Sequence, residues 1–364
     1  MSSPFLTPGQ SRHRRVLAAR RRRRRRLAAL GVLALAVLAA AVAEIGLASG
    51  SGERPRGGNR ASAPVKGAAH APSARTARSP YGLPLAKPAL ALPGISSPGK
   101  DPVQVSFAHP PREGLLFNLT TGQVLWQHNP LQRVPIASLT KMMTALITVE
   151  SAPSDAHVLV TKQAVDAAGS KVGVLPLGRH VRLRSMLYGL LLPSGNDAAT
   201  ALAQHVAHTV RRFVVRMNQE AARLGLGCTR YSSPSGYYNA GNFSCAADLA
   251  VLAHVDMQQP RIASVVRTYS AVLPFPIKGG KLYLYNNNPL LIYKYPGVTG
   301  MKTGQTEAAG RCLVATAERH GVRLGAIVLN SQEPGIQARQ LLDLGFEDVY
   351  HQPVVPEQPF PPGA

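Results

Sequence analysis

The distribution of hydrophobic and polar residues divides this chain into segments before any motif is considered. An uncharged apolar run covers residues 27–43 and directly follows seven consecutive arginines at residues 20–26. Residues 49–100 are rich in Ser, Gly, Ala, Pro and Arg without sustained periodicity, so we predict a disordered linker there. The proline-rich residues 351–364 are predicted to be a disordered tail. One folded domain is therefore expected over residues 101–350.

Strands are predicted at both ends of this domain, with helices between them. Two strand-like runs, at residues 115–119 and 123–127, flank the turn sequence Thr120-Thr121-Gly122 and predict a hairpin. Further strands are expected at residues 310–317 and 323–329, and helices at residues 138–150, 183–191, 197–207, 211–224 and 337–344. Because both ends supply strands, we predict an α+β fold with an antiparallel sheet of about five strands flanked by helices.

The arginine-rich start and the apolar run after it form the pattern of an export signal. Residues 1–26 are predicted to be a basic cytoplasmic region, and residues 27–48 a signal peptide or an uncleaved membrane anchor. Ala41-Val42-Ala43 offers a small-residue cleavage site, whereas the length of the run also suits an anchor in the cytoplasmic membrane. Both alternatives place the domain in the cell envelope, in the periplasm or at the outer face of that membrane.

The formal net charge of +23 would suit a nucleic-acid-binding protein only if the basic residues lay on a folded domain. Residues 1–100 carry 18 Lys and Arg against two Asp and Glu, whereas residues 101–364 carry 23 against 16. Most of the excess positive charge therefore belongs to the N-terminal segment. The domain shows no nucleic-acid-recognition motif, so we expect no nucleic-acid partner.

Three cysteines are present, Cys228, Cys245 and Cys312, and their odd number leaves at least one thiol unpaired. Cys312 lies in an apolar strand-like run, so we interpret it as a small buried hydrophobic residue. Whether Cys228 and Cys245 pair is left open by the sequence. Neither the cysteines nor the 11 histidines show metal-ligand spacing, so we expect no metal ion or other cofactor.

Three short motifs indicate a chemistry when they are taken together. They are Ser138-Leu139-Thr140-Lys141, Ser194-Gly195-Asn196 and Lys302-Thr303-Gly304. Each alone is weak, because such residues are common in turns and at helix starts. As a set in this order they supply a nucleophile, groups that move its proton and a wall that binds substrate. That is the equipment of an acyl-transfer serine enzyme.

Ser138 and Lys141 share one face of a predicted helix, because they are three residues apart. Ser138 is the candidate nucleophile, and Lys141 is the candidate general base. The ordinary pKa of a lysine is about 10.4, so Lys141 acts as a base near pH 7 only if its pKa is lowered. Burial and the nearby charge of Lys302 would do this. Ser194 is expected to relay a proton to the leaving group, and Asn196 to orient Lys141 or the substrate.

The third motif is predicted to lie on a strand that lines the cleft. Lys302 and Thr303 would hold a terminal carboxylate of the substrate, and Gly304 would let a peptide backbone approach as an added strand. The backbone N–H groups of Ser138 and Thr306 are expected to form an oxyanion hole, which binds the negative oxygen of a tetrahedral intermediate.

Residues around the motifs extend the pattern to residues 135–144, 191–199 and 309–317, to Asp248-Leu249-Ala250 and to Asn288. With them the chain resembles the serine-type D-alanyl-D-alanine carboxypeptidases, or low-molecular-weight penicillin-binding proteins. The resemblance implies a β-lactamase/transpeptidase-like fold with the active site between the sheet and the helical region. It implies removal of the terminal D-alanine from peptidoglycan stem pentapeptides through an acyl-enzyme. It also implies inhibition by β-lactams, which acylate the same serine.

The chain departs from that family pattern at several positions. Gln305 follows the third motif where an aromatic residue or His is common, and Thr299 stands where an Asp is usual. Family members often carry an Arg between the last strand and the final helix that helps to bind the terminal carboxylate. Residues 330–335 contain no Arg, and Arg339 is off register, so the sequence leaves open what replaces it.

Three functions are alternatives to a D-alanyl-D-alanine carboxypeptidase. A D,D-endopeptidase of the same family is not separable by sequence. A class A-type β-lactamase would need a glutamate on a loop, but Glu220 is the only glutamate between Asn196 and Lys302, and it lies on a predicted helix. The intact motif set argues against a catalytically inactive scaffold that binds the envelope.

Overall fold

The computed structural model describes residues 101–237 and 240–353, together with residues 78–80, 82, 85, 87–95, 97, 356 and 360. The predicted basic region, the predicted signal or anchor, most of the linker and most of the tail therefore lie outside the described residues. Within the described part of the chain, no helix is both long enough and apolar enough to cross a membrane.

Strands and helices follow one another through the domain. The strands are β1 (Glu113–Asn118), β2 (Val124–His128), β3 (His157–Leu159), β4 (His180–Arg182), β5 (Ser270–Pro274), β6 (Lys281–Tyr285), β7 (Val298–Thr306), β8 (Gly310–Arg319) and β9 (Val322–Ser331). The α-helices are α1 (Lys141–Ser151), α2 (Lys162–Val165), α3 (Leu183–Leu191), α4 (Asn196–Ala207), α5 (Val210–Arg223), α6 (Ala246–Gln258), α7 (Pro260–Val266), α8 (Pro289–Ile292) and α9 (Pro334–Leu344).

A five-stranded antiparallel sheet in the order β2-β1-β9-β8-β7 joins the two ends of the domain. The predicted α+β class and the predicted hairpin of β1 and β2 are confirmed. Within this sheet β7 pairs with β8 alone, so its other edge faces the helices. An edge strand offers unpaired backbone groups, and these are suited to binding an extended peptide.

The two faces of the sheet are buried in different cores, because side chains alternate along each strand. Leu115 and its cross-strand partner Ile327 pack into the core shared with helices α1 to α7. Leu116 and its partner Ala326 pack on the opposite face, in the core shared with α9. Both faces are therefore covered, and the edge at β7 remains the place where a site opens.

Helix α1 is preceded by a single 3-10 turn, Ala137–Thr140, so the helix predicted from Ser138 begins as a tighter turn. The backbone enters that turn through Ala137, which has a left-handed φ of 48°. Residues 141–148 of α1 are all buried. The turn is thus fixed to a rigid, enclosed helix on one side and meets β7 on the other.

Several elements were not predicted from the sequence, among them α6, α7 and the hairpin of β5 and β6. Helix α6 is buried nearly all round, so it has no polar face and little helical periodicity to detect. The alternation of exposed and buried residues in Lys281–Tyr285 is a strand signal that the sequence does contain.

A disulfide joins Cys228 to Cys245, whose pairing the sequence left open, while Cys312 is a buried thiol as interpreted. The Cα atoms of the bonded pair are 5.6 Å apart, within the usual range. The disulfide closes the segment that carries Ser235 and Gly236 past the 3-10 turn. It therefore constrains a loop that contributes to the site described below.

Replacing both bonded cysteines with alanine is expected to lower the free energy of unfolding by about 3 kcal/mol. The reason is that the bond links residues 17 apart and so restricts the unfolded chain. Equilibrium unfolding in urea measures the change. Cys312→Ala is the control, because it removes a buried thiol without removing a cross-link. An unfolding free energy equal to that of the control would contradict the prediction.

Candidate active site

Ser138 lies in a cleft between the β7 edge and the helical layer. The cleft is lined by Ser138, Ser170, Ser194, Asn287, Pro289, Ile292, Tyr293, Thr303, Gly304, Gln305, Arg311, Cys312 and Pro334. A side chain at Gly304 would place a Cβ 3.2 Å from the backbone nitrogen of Ser138. Glycine therefore lets β7 approach the turn closely enough for both to line the same cleft.

Gly236 performs a similar function on the other side of the turn. Its φ of +73° is in the left-handed region, and a Cβ there would overlap the carbonyl oxygen of Ala137. Gly236 is among the residues that resemble the family pattern, but its packing role was not predicted, because a glycine in a loop gives no indication of what it packs against. The disulfide-closed loop is thus fitted directly against the residue that precedes Ser138.

Lys141 is completely buried beneath Ser138, and three oxygens surround its amine. Its Nζ lies 2.9 Å from Ser138 Oγ, 2.7 Å from Asn196 Oδ1 and 2.9 Å from the carbonyl oxygen of Ser235. A neutral amine has two N–H groups and one lone pair. If Lys141 donates its two N–H groups to Asn196 Oδ1 and to the carbonyl oxygen of Ser235, its lone pair is directed at the hydroxyl of Ser138.

Burial lowers the pKa of Lys141 well below its ordinary value, and the charge of Lys302 lowers it further, while Asp197 opposes both effects. Lys302 is itself buried, and this lowers its pKa to about 7. Burial and the charge of Lys302 are the two causes of a lowered Lys141 pKa that were predicted from the sequence. A lysine in this environment is available as a neutral base at a pH where an exposed lysine is charged.

The second motif lies at the N-terminal end of α4, where Ser194 and Asn196 occupy different positions. Ser194 has a left-handed φ of 66°, lines the cleft, and has a buried Oγ with no hydrogen-bond partner in the described chain. The Asn196 side chain bridges Lys141 and the carbonyl oxygen of Ala168, to which its Nδ2 donates at 2.6 Å. Asn196 therefore holds the lysine, and Ser194 faces the space above it.

Asp197 was missed as a contributor to the site, although it follows the second motif directly. It is buried, and its carboxylate accepts hydrogen bonds from the backbone N–H groups of Val172, Gly173 and Ala198. The charge thereby fixes the loop around Ser170 to the start of α4. This loop forms one rim of the cleft.

The third motif lies on β7, as predicted. The Lys302 Nζ donates to the carbonyl oxygen of Thr303 at 2.7 Å, and Thr303, Gly304 and Gln305 line the cleft. Thr306 lies at the end of β7, where its hydroxyl accepts a hydrogen bond from the N–H of Ala309 across the turn to β8. The cleft wall is thus formed by the residues up to Gln305.

Three residues of metal-ligating types, Cys228, Cys245 and Asp248, have their ligand atoms within 4.8 Å of one another. Both sulfur atoms are in the disulfide, and the Asp248 carboxylate accepts hydrogen bonds from the N–H of Cys228 and the hydroxyl of Thr229. Within the described chain, this cluster is therefore a disulfide with a hydrogen-bonded carboxylate beside it, and not a metal site.

Comparison with known proteins identifies the family. The family model of the D-alanyl-D-alanine carboxypeptidases, Peptidase S11, matches residues 106–333 of this chain. The chain belongs to this family, and the resemblance recognised from its motifs is confirmed.

Individual relatives agree with this assignment. DacF, a D-alanyl-D-alanine carboxypeptidase of Bacillus subtilis, is 33% identical over 257 residues, which cover 68% of this chain and 65% of DacF. DacB2, which carries the same description in Mycobacterium tuberculosis, is 35% identical over 245 residues, or 65% of this chain and 82% of DacB2. A solved Streptomyces DD-transpeptidase is 32% identical, with a TM-score of 0.61 over 67% of this chain and 99% of that one. The predicted β-lactamase/transpeptidase-like fold is therefore confirmed.

Proposed function

We propose that this protein is a serine D-alanyl-D-alanine carboxypeptidase that removes the terminal D-alanine of peptidoglycan stem pentapeptides. The observation that carries the proposal is the 2.9 Å contact between Ser138 Oγ and the buried Nζ of Lys141, at the floor of an open cleft. Membership of the carboxypeptidase family supports the substrate class.

In the acylation step, neutral Lys141 takes the hydroxyl proton of Ser138 while Oγ attacks the carbonyl carbon of the penultimate D-alanine. The tetrahedral intermediate then collapses, the peptide C–N bond breaks, and the leaving nitrogen receives a proton. Ser194 is placed to pass that proton from Lys141, because its Oγ lines the cleft without a hydrogen-bond partner in the described chain. The products are free D-alanine and a Ser138 ester.

The oxyanion hole is proposed to use the backbone N–H of Ser138 and one N–H of the β7 edge. The sequence assigns the second donor to Thr306. The lining of the cleft favours Gln305 instead, because Thr306 lies beyond it, beside the turn to β8. Thr303 and Lys302 remain proposed binding groups for the substrate's terminal carboxylate.

Water completes the reaction in this proposal. It attacks the ester carbonyl, Lys141 takes one of its protons, and Ser138 leaves with a proton returned to its Oγ, so the enzyme is regenerated. β-Lactams are expected to acylate the same serine and to persist. We expect slow release because none of the described residues that line the cleft is a glutamate, and Glu220 is on α5 in an ion pair with Arg223.

This position of Glu220 also argues against a class A-type β-lactamase, which needs a glutamate beside the deacylating water. An endopeptidase that cuts D,D-crosslinks is not favoured, because the matching family and the curated relatives named above are described as carboxypeptidases. An inactive scaffold would have no need of a buried lysine beneath an accessible serine.

We also propose that the protein works in the cell envelope and reaches it through residues 1–48. Support comes from the arginine-rich region followed by an apolar run, which is typical of a signal peptide or an N-terminal anchor. The substrate class requires the same location.

Mass spectrometry of the purified protein tests the proposed function. Incubation with benzylpenicillin should add one covalent adduct on the peptide that contains Ser138. Incubation with a peptide ending in D-alanyl-D-alanine should release D-alanine in many turnovers. Absence of both adduct and product would overturn the proposal, and rapid repeated hydrolysis of penicillin would favour the β-lactamase.

A further inference from the structure

The lining of the cleft includes an apolar wall to which the proposed reaction assigns no role. Its residues are Pro289, Ile292, Tyr293 and Pro334. The first three lie on α8 and at its C-terminal end, and Pro334 begins α9. Because α8 and α9 contact each other, these residues form one surface. Apolar surface of this kind favours a ligand that covers it.

Tyr293 is the largest side chain of the apolar wall. Its backbone N–H donates to the carbonyl oxygen of Pro289 at 2.9 Å, so its main chain is fixed at the end of α8. Its side chain is only half-buried. A side chain at the rim of a cleft changes rotamer readily unless a neighbour packs against it. The shape of the wall therefore depends on what holds the ring of Tyr293.

Phe360 packs against the ring of Tyr293. The two ring centroids are 4.8 Å apart, and the ring planes are inclined at 45°. This separation is within the range of favourable aromatic pairs. Phe360 belongs to the proline-rich segment after residue 350, is half-buried, and packs against the core on the α9 face of the sheet. It is not among the described residues that line the cleft, so it would influence a ligand through Tyr293.

Arg339 of α9 provides a second contact for Phe360. Its guanidinium carbon lies 5.3 Å from the centroid of the Phe360 ring. A cation at this distance from an aromatic ring is attracted to it. Phe360 thus contacts α9 through Arg339 and the end of α8 through Tyr293. It joins the two elements that supply the apolar wall.

We infer that Phe360 is a positioning residue: it holds the ring of Tyr293 in place, so the cleft favours acyl donors with a large apolar side group. This inference rests on the proposed function and adds to it a selectivity for the donor. A donor with such a group covers the apolar wall and binds better when the ring is already ordered, because less conformational freedom is lost on binding. A donor without the group leaves the wall uncovered, and its acylation does not depend on Phe360.

The test compares the second-order acylation rates of two penicillins with the full-length protein. Benzylpenicillin carries an aromatic side group, whereas 6-aminopenicillanic acid has the same ring system without it. In Phe360→Ala, the rate for benzylpenicillin should fall roughly 3- to 10-fold, the scale of one aromatic contact. The rate for 6-aminopenicillanic acid should change by less than about twofold, because this ligand leaves the apolar wall uncovered. The loss should lie in the affinity of the first complex and not in the limiting rate of acylation.

Further variants separate positioning from a general effect on the fold. Phe360→Tyr keeps the ring and should keep the ratio of the two rates. Tyr283→Ala removes an exposed aromatic side chain of β6 that is not among the described lining residues, and it should leave the ratio unchanged. Tyr293→Ala should lower the ratio by itself. Phe360→Ala added to Tyr293→Ala should lower it no further, because residues that act through one another are not additive.

The possible failures are distinguishable. An unchanged ratio in Phe360→Ala, or an equal fall of both rates, would overturn the positioning role while the proposed function stands. Additive losses in the double variant would also overturn it, because they would show that Phe360 does not act through Tyr293. If the wild type forms no adduct with either penicillin, the proposed function fails and the inference fails with it.

Discussion

A Ser138→Ala variant is expected to form no penicillin adduct and to release D-alanine at least about 10⁴-fold more slowly than the wild type. The substitution removes the oxygen that lies 2.9 Å from Lys141 Nζ and leaves the surrounding turn and helix unaltered. The loss of rate is large because the nucleophile and the base act as a unit, so removal of either one removes most of the rate enhancement. Time-resolved mass spectrometry of the adduct and an assay of released D-alanine provide the measurements.

The matched control for this variant is Ser264→Ala. Ser264 is exposed on α7, and its hydroxyl bonds only to the helix carbonyl of Arg261 in the described chain. Its removal should leave acylation unchanged. A penicillin adduct that persists in Ser138→Ala, carried by Ser170 or Ser194 of the same cleft, would show that the nucleophile is misassigned.

The second large effect is expected from Lys141. Lys141→Met removes the base, and Lys141→Arg keeps a cation that cannot lose its proton, so both should lower the acylation rate roughly 10³- to 10⁴-fold. The methionine variant should also lose about 1–3 kcal/mol of stability, because Asn196 and the carbonyl of Ser235 lose a hydrogen-bond partner. Stopped-flow acylation and urea unfolding measure the two losses separately.

Lys162→Met is the control for that pair of variants. Lys162 is exposed on α2 and forms an ion pair with Asp166, so its removal should change neither acylation nor stability by much. An arginine variant at position 141 that acylates within tenfold of the wild type would mean that proton removal from Ser138 does not depend on this lysine.

The sequence predicts those parts of the site that are formed by residues close together along the chain. Ser138 and Lys141 are three residues apart, and one turn of helix is enough to bring them together. Ser194 and Asn196 belong to a short motif whose residue types are themselves the signal. The antiparallel sheet was predicted in the same way, from strand-like runs within residues 115–127 and 310–329.

The parts that the sequence does not predict depend on tertiary contacts. The carbonyl of Ser235 reaches Lys141 across 94 positions, and any residue type supplies a carbonyl. The choice between Gln305 and Thr306 as N–H donor depends on one step along β7, and successive backbone N–H groups of a strand point to opposite edges. Arg311 becomes part of the cleft only because β8 pairs with β7 in a particular register.

We propose that a buried Lys141, held neutral by burial and by the charge of Lys302, makes Ser138 reactive. The most direct test is the pH dependence of the second-order acylation rate by benzylpenicillin, in the wild type and in Lys302→Gln. The rate should rise with pH as Lys141 loses its proton, and in the wild type this rise should lie far below pH 10. Loss of the second cation makes Lys141 easier to protonate, so the rise should move to higher pH in the variant. A rise near the ordinary pKa of lysine, or one at the same pH in both proteins, would contradict the account.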